Sequence, residues 1–306
     1  MIILPAALLD LLLGDPPNRF HPTAWMGGLI RWLMHFRPRG NKASEFLFGV
    51  FILLIGISLA AGAGFGISSL ASQLPPWLGV LFQALFLKLT LSLRGLDRAA
   101  KEVQSALKLQ NLPEARRLLS WHLVSRDTSQ LNESQVCAAA IESVAENASD
   151  GIIAPLFFYA IGGLPAAFAY RFVNTADSML GYHDAEREWL GKFPARFDDL
   201  LNFIPARLTG LFIMVSAPFC GADFIMSWNI MWRDSQATAS PNAGVPMSAM
   251  AGALNMELEK MDHYSLGRGL RKPVVVDLLH ARRILYAAVG LAVICFSLWS
   301  FYARAG

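Results

Sequence analysis

The sequence predicts an all-α fold: a polytopic integral membrane helical protein with a re-entrant or broken helix and a cytoplasmic helical insert. Three observations carry this. Of the 306 residues, 54% are hydrophobic and only 16% charged, whereas soluble domains carry about 25% charged residues. Apolar runs at 46–70, 77–93, 208–219 and 284–302 are separated by polar and basic stretches, as membrane spans are by their loops. A further run, 152–170, is interrupted by Gly162-Gly163-Leu164-Pro165 after about ten residues, half of the roughly 20 that a helical span needs. Such a break is tolerated where backbone lines a protein-enclosed cavity.

Composition also excludes some classes. A net charge of +3 without an arginine-rich block does not suit nucleic acid. Cys137, Cys220 and Cys295 are isolated, so neither a zinc site nor a disulfide framework is expected, and three buried thiols are. The chain reads as a single membrane domain, 1–306, with a cytoplasmic helical insert at 96–150 and a cytoplasmic loop-rich segment at 228–280.

Residues 1–13 are apolar but lack a basic start and a small-residue cleavage site, and are read as retained. Residues 14–30 set Asp15, Arg19 and His21 among prolines and glycines, which fixes a loop. Asp15 and His21 there are either turn or cap partners or a functional pair. Arg31, Arg37, Arg39 and Lys42 precede the first long run, and Arg94, Arg98 and Lys101 follow the second. The positive-inside rule makes both flanks cytoplasmic and the two runs a hairpin, turning at Pro75-Pro76. Gly62 and Gly66 form a G-x-x-x-G expected to pack helices, and no Walker A sequence is present.

Within the insert, 97–109 and 116–124 have helical periodicity around a break at 111–114. Arg126-Asp127-Thr128-Ser129 follows, where Asp127 or Thr128 is an N-cap or part of a site. If 135–150 is helical, residues four apart advance by about 40°, and Glu142, Glu146 and Asp150 share one face. Three acids there need water, arginine or a cation to offset repulsion, so the face is either solvated or a Mg²⁺ site. Its position at the lip of the apolar run 152–158 favours function. A second polar cluster, Arg171, Asn174, Asp177 and Ser178, then Gly181, Tyr182 and His183, follows that run. A re-entrant geometry would return it to the side of the first. Residues 191–207 add Asp198, Asp199, Arg196 and Arg207 around the next apolar run, as snorkelling ends or as site residues. Arg282-Arg283 precedes the last span and places the C-terminus outside. No internal repeat is evident, which argues against an inverted-repeat transporter.

The motifs L-D-L-L-L-G-D-P with H-P and G-G-L-I (9–30), S-R-D-T-S-Q-L (125–131), E-S-V-A-E-N-A-S-D-G-I-I-A-P-L-F-F (142–158), A-Y-R-F-V-N-T-A-D-S-M-L-G-Y (169–182), F-D-D-L-L-N-F-I-P-A-R-L (197–208), S-P-N-A-G (240–244) and M-A-G-A-L (250–254) run almost end to end. With them the chain resembles the cobalamin-biosynthesis CbiB/CobD membrane family of adenosylcobinamide-phosphate synthases. It departs from that family's usual pattern with Arg171 in place of Lys, and with Met247-Ser248 where an acid is usual. No catalytic role is therefore placed on that last segment.

The resemblance implies an ATP-dependent amide ligase in the bacterial inner membrane, with its active site on the cytoplasmic side. It would join adenosylcobyric acid to aminopropanol phosphate or a similar amino-alcohol phosphate, through an acyl phosphate, giving adenosylcobinamide phosphate. Under it, Glu142, Glu146, Asp150 and Asp177 would hold Mg²⁺. Arg126, Arg171 and Arg207 would pair with phosphates and Asn147 and Asn174 would orient the amide. Asp127, Asp15, His21 or Glu146 would serve catalysis, the first three as acceptors of the amine proton. The corrinoid is expected as substrate. Membrane lipid, other cobalamin-assembly enzymes and further copies of this chain are the expected partners; nucleic acid is not. A membrane transporter and an AmpE-like signalling protein are the alternative readings.

Overall fold

The computed structural model describes residues 2–181, 188–261 and 263–305, with side chains to 302. The helices are α1 (Ile3–Leu13), α2 (Pro22–Met34), α3 (Lys42–Ser72), α4 (Pro76–Lys88), α5 (Leu93–Lys108), α6 (Leu112–His122), α7 (Glu133–Ala148), α8 (Ala154–Leu180), α9 (Glu188–Ser216), α10 (Phe224–Asp234) and α11 (Gly244–Ala253). A small antiparallel hairpin, β1 (Leu258–Lys260) and β2 (Tyr264–Leu266), precedes α12 (Val275–Ala305). Among the described residues, four helical stretches are long and apolar enough to cross a membrane: α3, residues 133–180, α9 and α12. The bent pair α4 and α5, inclined at 41°, makes a fifth if counted as one span. The protein is thus an all-α, multi-pass membrane protein, as its composition predicts.

The chain divides into two compact units. The first comprises residues 1–92, 154–202 and 293–306 and is built on α3 against α8. Their closeness depends on glycines. A Cβ on Gly56 would run into the ring of the fully buried Phe172, and one on Gly64 would lie 2.6 Å from the Pro165 nitrogen. Gly49 meets the Leu190 carbonyl in the same way. At Gly62 and Gly66, the expected packing pair, an added Cβ would meet no neighbour within 4 Å among the described residues. The close approaches of α3 run instead through Gly56 and Gly64 to α8 and through Gly49 to Leu190 of α9, about two turns apart and hence on one face.

The break expected in the run 152–170 is present. Gly162 leaves helical geometry (φ −132°) and Gly163 takes φ +66°, ψ −157°, a region that glycine enters without a Cβ penalty. The second run of the expected hairpin is shorter than its hydropathy suggests: α4 ends at Lys88, whose buried ammonium donates to the Gly14 carbonyl.

The second unit comprises residues 93–153 and 203–292. Helix α5 buries Leu96, Ala99, Ala100, Val103 and Leu107, a stripe with helical spacing. Asn111 caps α6 after Gln110 turns the chain at φ +55°. Asn132 and Gln135 form a capping box that starts α7. The Arg282 guanidinium donates twice to Asp97, at 2.7 and 3.1 Å, with both side chains mostly buried. Arg282→Ala strands that carboxylate and is expected to cost about 2 kcal/mol or more, read as a lower unfolding midpoint in detergent. An unchanged midpoint would show the pair to be idle.

One expectation is refined here and one, which concerns residues of both units, needs correction. The segment 228–280 is not mainly loop, since it holds most of α10, α11 and the hairpin. All ten residues of α11 are buried, and a helix buried all round shows no amphipathic period to read. The thiols differ from one another: Cys137 is buried, Cys220 half-buried and Cys295 exposed.

Candidate functional site

After α7 the chain makes a π-helical turn, Ser149–Ile153. A π turn hydrogen-bonds over five residues rather than four, and such turns are frequent at functional sites. It resets the register of the acidic face. Glu142 and Glu146 remain one α-turn apart, but Asp150 falls in the π turn and does not line the cavity that those two share.

That cavity, about 240 Å³, lies wholly in the second unit. Its chemistry comes from Arg126, Glu142, Glu146, Lys260 and Tyr264, with Ser125 and Ser143 at its wall. Glu142 is 5% exposed. One of its oxygens lies 3.6 Å from the Arg126 guanidinium; the other, Oε1, is buried without a hydrogen-bond partner among the described residues. Burial first, then the charges of Glu142 and Glu146, push the Tyr264 phenol well above its usual value, so it stays a neutral hydroxyl. Asn147 donates to the Ser143 carbonyl at 2.9 Å and to its hydroxyl at 3.1 Å, while Ser143 Oγ donates to the Leu123 carbonyl at 2.9 Å. Asn147 thus braces the wall from behind.

Asp127 does not line this cavity. It is exposed and accepts from the Ser129 nitrogen and hydroxyl, both at 2.9 Å, and the first of these hydrogen bonds does most to hold its carboxyl below the ordinary range. Arg207 reaches neither cavity described here. It donates to Asn242 at 2.6 Å and to the Pro241 carbonyl at 3.3 Å, joining two of the motifs, and stacks on Phe203 at 3.8 Å.

A second cavity, about 510 Å³, lies wholly in the first unit and holds Asp15, His21, Arg31, Ser92, Arg171 and Thr175. His21 Nδ1 accepts from the Thr23 nitrogen at 3.2 Å, capping α2, while Nε2 lies 3.5 Å from Asp15 Oδ1. His21 is therefore a cap, one of the two readings of the loop, and also a neighbour of Asp15. Burial pushes the Asp15 carboxyl up, but His21, Lys88 and Arg171 outweigh it and hold it below its ordinary 3.8. A depressed carboxyl contributes stability that is present above the ordinary value and lost as pH falls through the folded one. Asp15→Asn is therefore expected to lower the unfolding midpoint at about pH 7, with the gap to the parent closing as pH falls below the ordinary 3.8 and through the folded value. An equal gap at both would assign the effect to packing.

Asn174 accepts from Arg171 at 3.3 Å. With Asp177 it faces the buried Asp198, which accepts from Asn202 at 2.8 Å. Asn202 in turn accepts from the Tyr170 hydroxyl at 2.8 Å. Tyr182 and His183 lie outside the described residues. Lys88, Lys260 and Tyr264 carry no motif signal in the sequence and are found only through folding. Asp198 sits in a recognisable paired-acid motif, but its burial is not legible there.

No three His, Cys, Asp or Glu side chains converge on a metal-sized point among the described residues. Asp150 is off the first cavity and Asp177 belongs to the other unit. Glu142 and Glu146 nonetheless suit Mg²⁺, which commonly takes one or two carboxylates and completes its shell with phosphate and water. The unpartnered Glu142 Oε1 is the oxygen such an ion would satisfy.

The CobD/Cbib protein family profile matches residues 3–291. Among curated proteins, the chain is 43% identical to cobalamin biosynthesis protein CobD of Dehalococcoides mccartyi over 271 residues, 89% of this chain and 87% of that one. It is 45% identical to CobD of Geobacter metallireducens, over 90% of this chain and 86% of that one. It is 38% identical to cobalamin biosynthesis protein CbiB of Salmonella typhi, over 95% and 94% of the two chains. No solved structure matches. A profile match across nearly the whole chain, with relatives at this identity and coverage, places the chain in the CobD/Cbib family.

Proposed function

We propose that this protein acts in cobalamin biosynthesis as an ATP-dependent amide-forming ligase of the bacterial inner membrane, working on the cytoplasmic side. It would join a corrinoid carboxylate, that of adenosylcobyric acid, to an amino-alcohol phosphate. Kinship supports the pathway. The observation that carries the chemistry is the first cavity, where two cations and a neutral hydroxyl surround a buried and a half-buried carboxylate.

A carboxylate becomes an acyl donor at neutral pH only after gaining a leaving group. Its oxygen attacks the terminal phosphorus of ATP, the bond to ADP breaks, and an acyl phosphate remains. The amine nitrogen then attacks the acyl carbon, phosphate leaves, and the nitrogen gives up its proton. Arg126 and Lys260 would hold phosphate oxygens, because fixed cations stabilise charge as it spreads during transfer. Tyr264 would donate a hydrogen bond without ionising. Glu142 and Glu146 would hold Mg²⁺, which when bound neutralises charge on the phosphoryl oxygens. Asp127, committed to its own turn and outside the first cavity, is poorly placed to accept that proton.

The test incubates detergent-purified protein with adenosylcobyric acid, aminopropanol phosphate, ATP and Mg²⁺ and seeks the amide by mass spectrometry. Stoichiometric ADP with product supports the ligase. Folded protein that yields neither product nor ADP, with substrates proven active, would overturn it in favour of transport or signalling.

A further inference from the structure

A third cavity, about 520 Å³, lies wholly in the first unit and opens beside the start of α3. Local structure builds it. Gly40, at φ +88°, turns the chain between α2 and α3, and Asn41 caps α3 by accepting from the Ala43 nitrogen at 2.9 Å. This turn sets Arg37, Arg39 and Lys42 around the cavity, and the start of α9 adds Glu188 and Trp189.

The charges do not cancel. Arg37, whose side chain is only 9% exposed, donates to Glu45 at 3.2 Å, so those two offset each other. Arg39 and Lys42 are exposed. The ammonium groups of Lys42 and Lys192 lie 5.4 and 4.3 Å from the centre of the Trp189 ring, a contact that holds cations in place without neutralising them. Against Arg39, Lys42 and Lys192 stands Glu188, placed where the start of α9 itself favours a carboxylate. The rim keeps an excess of positive charge.

The depth of the cavity follows from the helix it adjoins. Because α3 is long and apolar enough to cross a membrane, cations at its first turn stand at the level of lipid headgroups. Trp32, exposed in the last turn of α2, and Trp189 are residues which that level attracts. Further along α3, Leu47, Phe51 and Leu54 are exposed on one face, as side chains that meet acyl chains are. Basic pockets beside spans at this level suit anionic headgroups. A zwitterionic headgroup would instead bring its ammonium into the same excess of cations.

We propose that this cavity binds the headgroup of an anionic phospholipid, with its phosphodiester on Arg39 and Lys42 and its acyl chains along the exposed apolar side chains of α3. The site stands apart from the ligase reading and does not depend on it. Arg37, tied to Glu45, holds the turn and acts as a positioning residue. Lipid bound here would brace the starts of α3 and α9, which already approach where Gly49 meets the Leu190 carbonyl.

The experiment takes full-length protein, purified in a neutral detergent and stripped of lipid, and titrates it with the dioleoyl forms of phosphatidylglycerol, phosphatidylcholine and phosphatidylethanolamine. Retained lipid is counted by native mass spectrometry. The first phosphatidylglycerol is expected to bind about tenfold tighter than either zwitterionic lipid, the scale of two basic residues acting on one anionic headgroup. Arg39→Gln combined with Lys42→Gln should abolish that preference. Arg98→Gln combined with Lys101→Gln, which removes two exposed cations from the second unit, should retain it.

Equal binding of the three lipids would overturn the site. Equal loss of preference in both double variants would also overturn it, because overall charge and not this cavity would then attract the lipid. Glycerophosphoglycerol, the same headgroup without chains, should bind far more weakly than the lipid. Binding as tight as the lipid's would make this a site for free anions and overturn the lipid as its occupant.

Discussion

Glu146→Gln is expected to lower the rate of amide formation by about a hundredfold or more, the scale on which removal of one fixed electrostatic group slows a reaction. Glutamine keeps the volume and one oxygen but removes the charge. The loss should appear in kcat and in the Mg²⁺ concentration needed for half-maximal rate, with the unfolding midpoint little changed. Arg126→Ala is expected to act differently. It removes the cation 3.6 Å from Glu142, so it should raise KM for ATP and also destabilise the cavity by leaving a buried carboxylate with Lys260 as its remaining counter-charge. If Glu146→Gln leaves both rate and Mg²⁺ dependence unchanged, the first cavity is not where the chemistry occurs.

Much of this site could be read from the sequence because its parts are local. Glu142 and Glu146 are one α-turn apart in a capped, alanine-rich helix, so their common face follows from periodicity. Arg126 lies in the polar stretch just ahead of that helix. The loop carrying Asp15 and His21 is marked by its prolines, and the pair within it spans only six positions. What escaped notice depends on long-range packing or on a register change. Lys260 and Tyr264 reach the first cavity from a hairpin more than a hundred residues downstream, in a segment whose buried helix has no polar face to announce it. Asp150 is displaced by a π turn that leaves no trace in residue pattern. Lys88 lies inside the apolar run 77–93, and only the fold shows its ammonium turned inward to a backbone carbonyl.

The same limit explains the glycine seam, where the second large effect is expected. Gly64→Ala would place a methyl 2.6 Å from the Pro165 nitrogen and 2.7 Å from the Leu164 carbonyl group. Those are backbone atoms beside the break at Gly162-Gly163, so no side chain can swing aside, and helix α3 must be pushed off. The expected cost is about 2–3 kcal/mol, the upper part of the range for overpacking. Gly62→Ala, two residues away, meets nothing and gains from alanine's better helix propensity, worth up to about 1 kcal/mol. Unfolding midpoints in one detergent should therefore move in opposite directions for these two substitutions. Equal midpoints for both would mean that α3 does not approach the break in α8 through Gly64. The G-x-x-x-G spacing would then be no worse a guide than the seam. Opposite shifts would show that the small residue is needed where backbone meets broken backbone, which a spacing motif cannot specify.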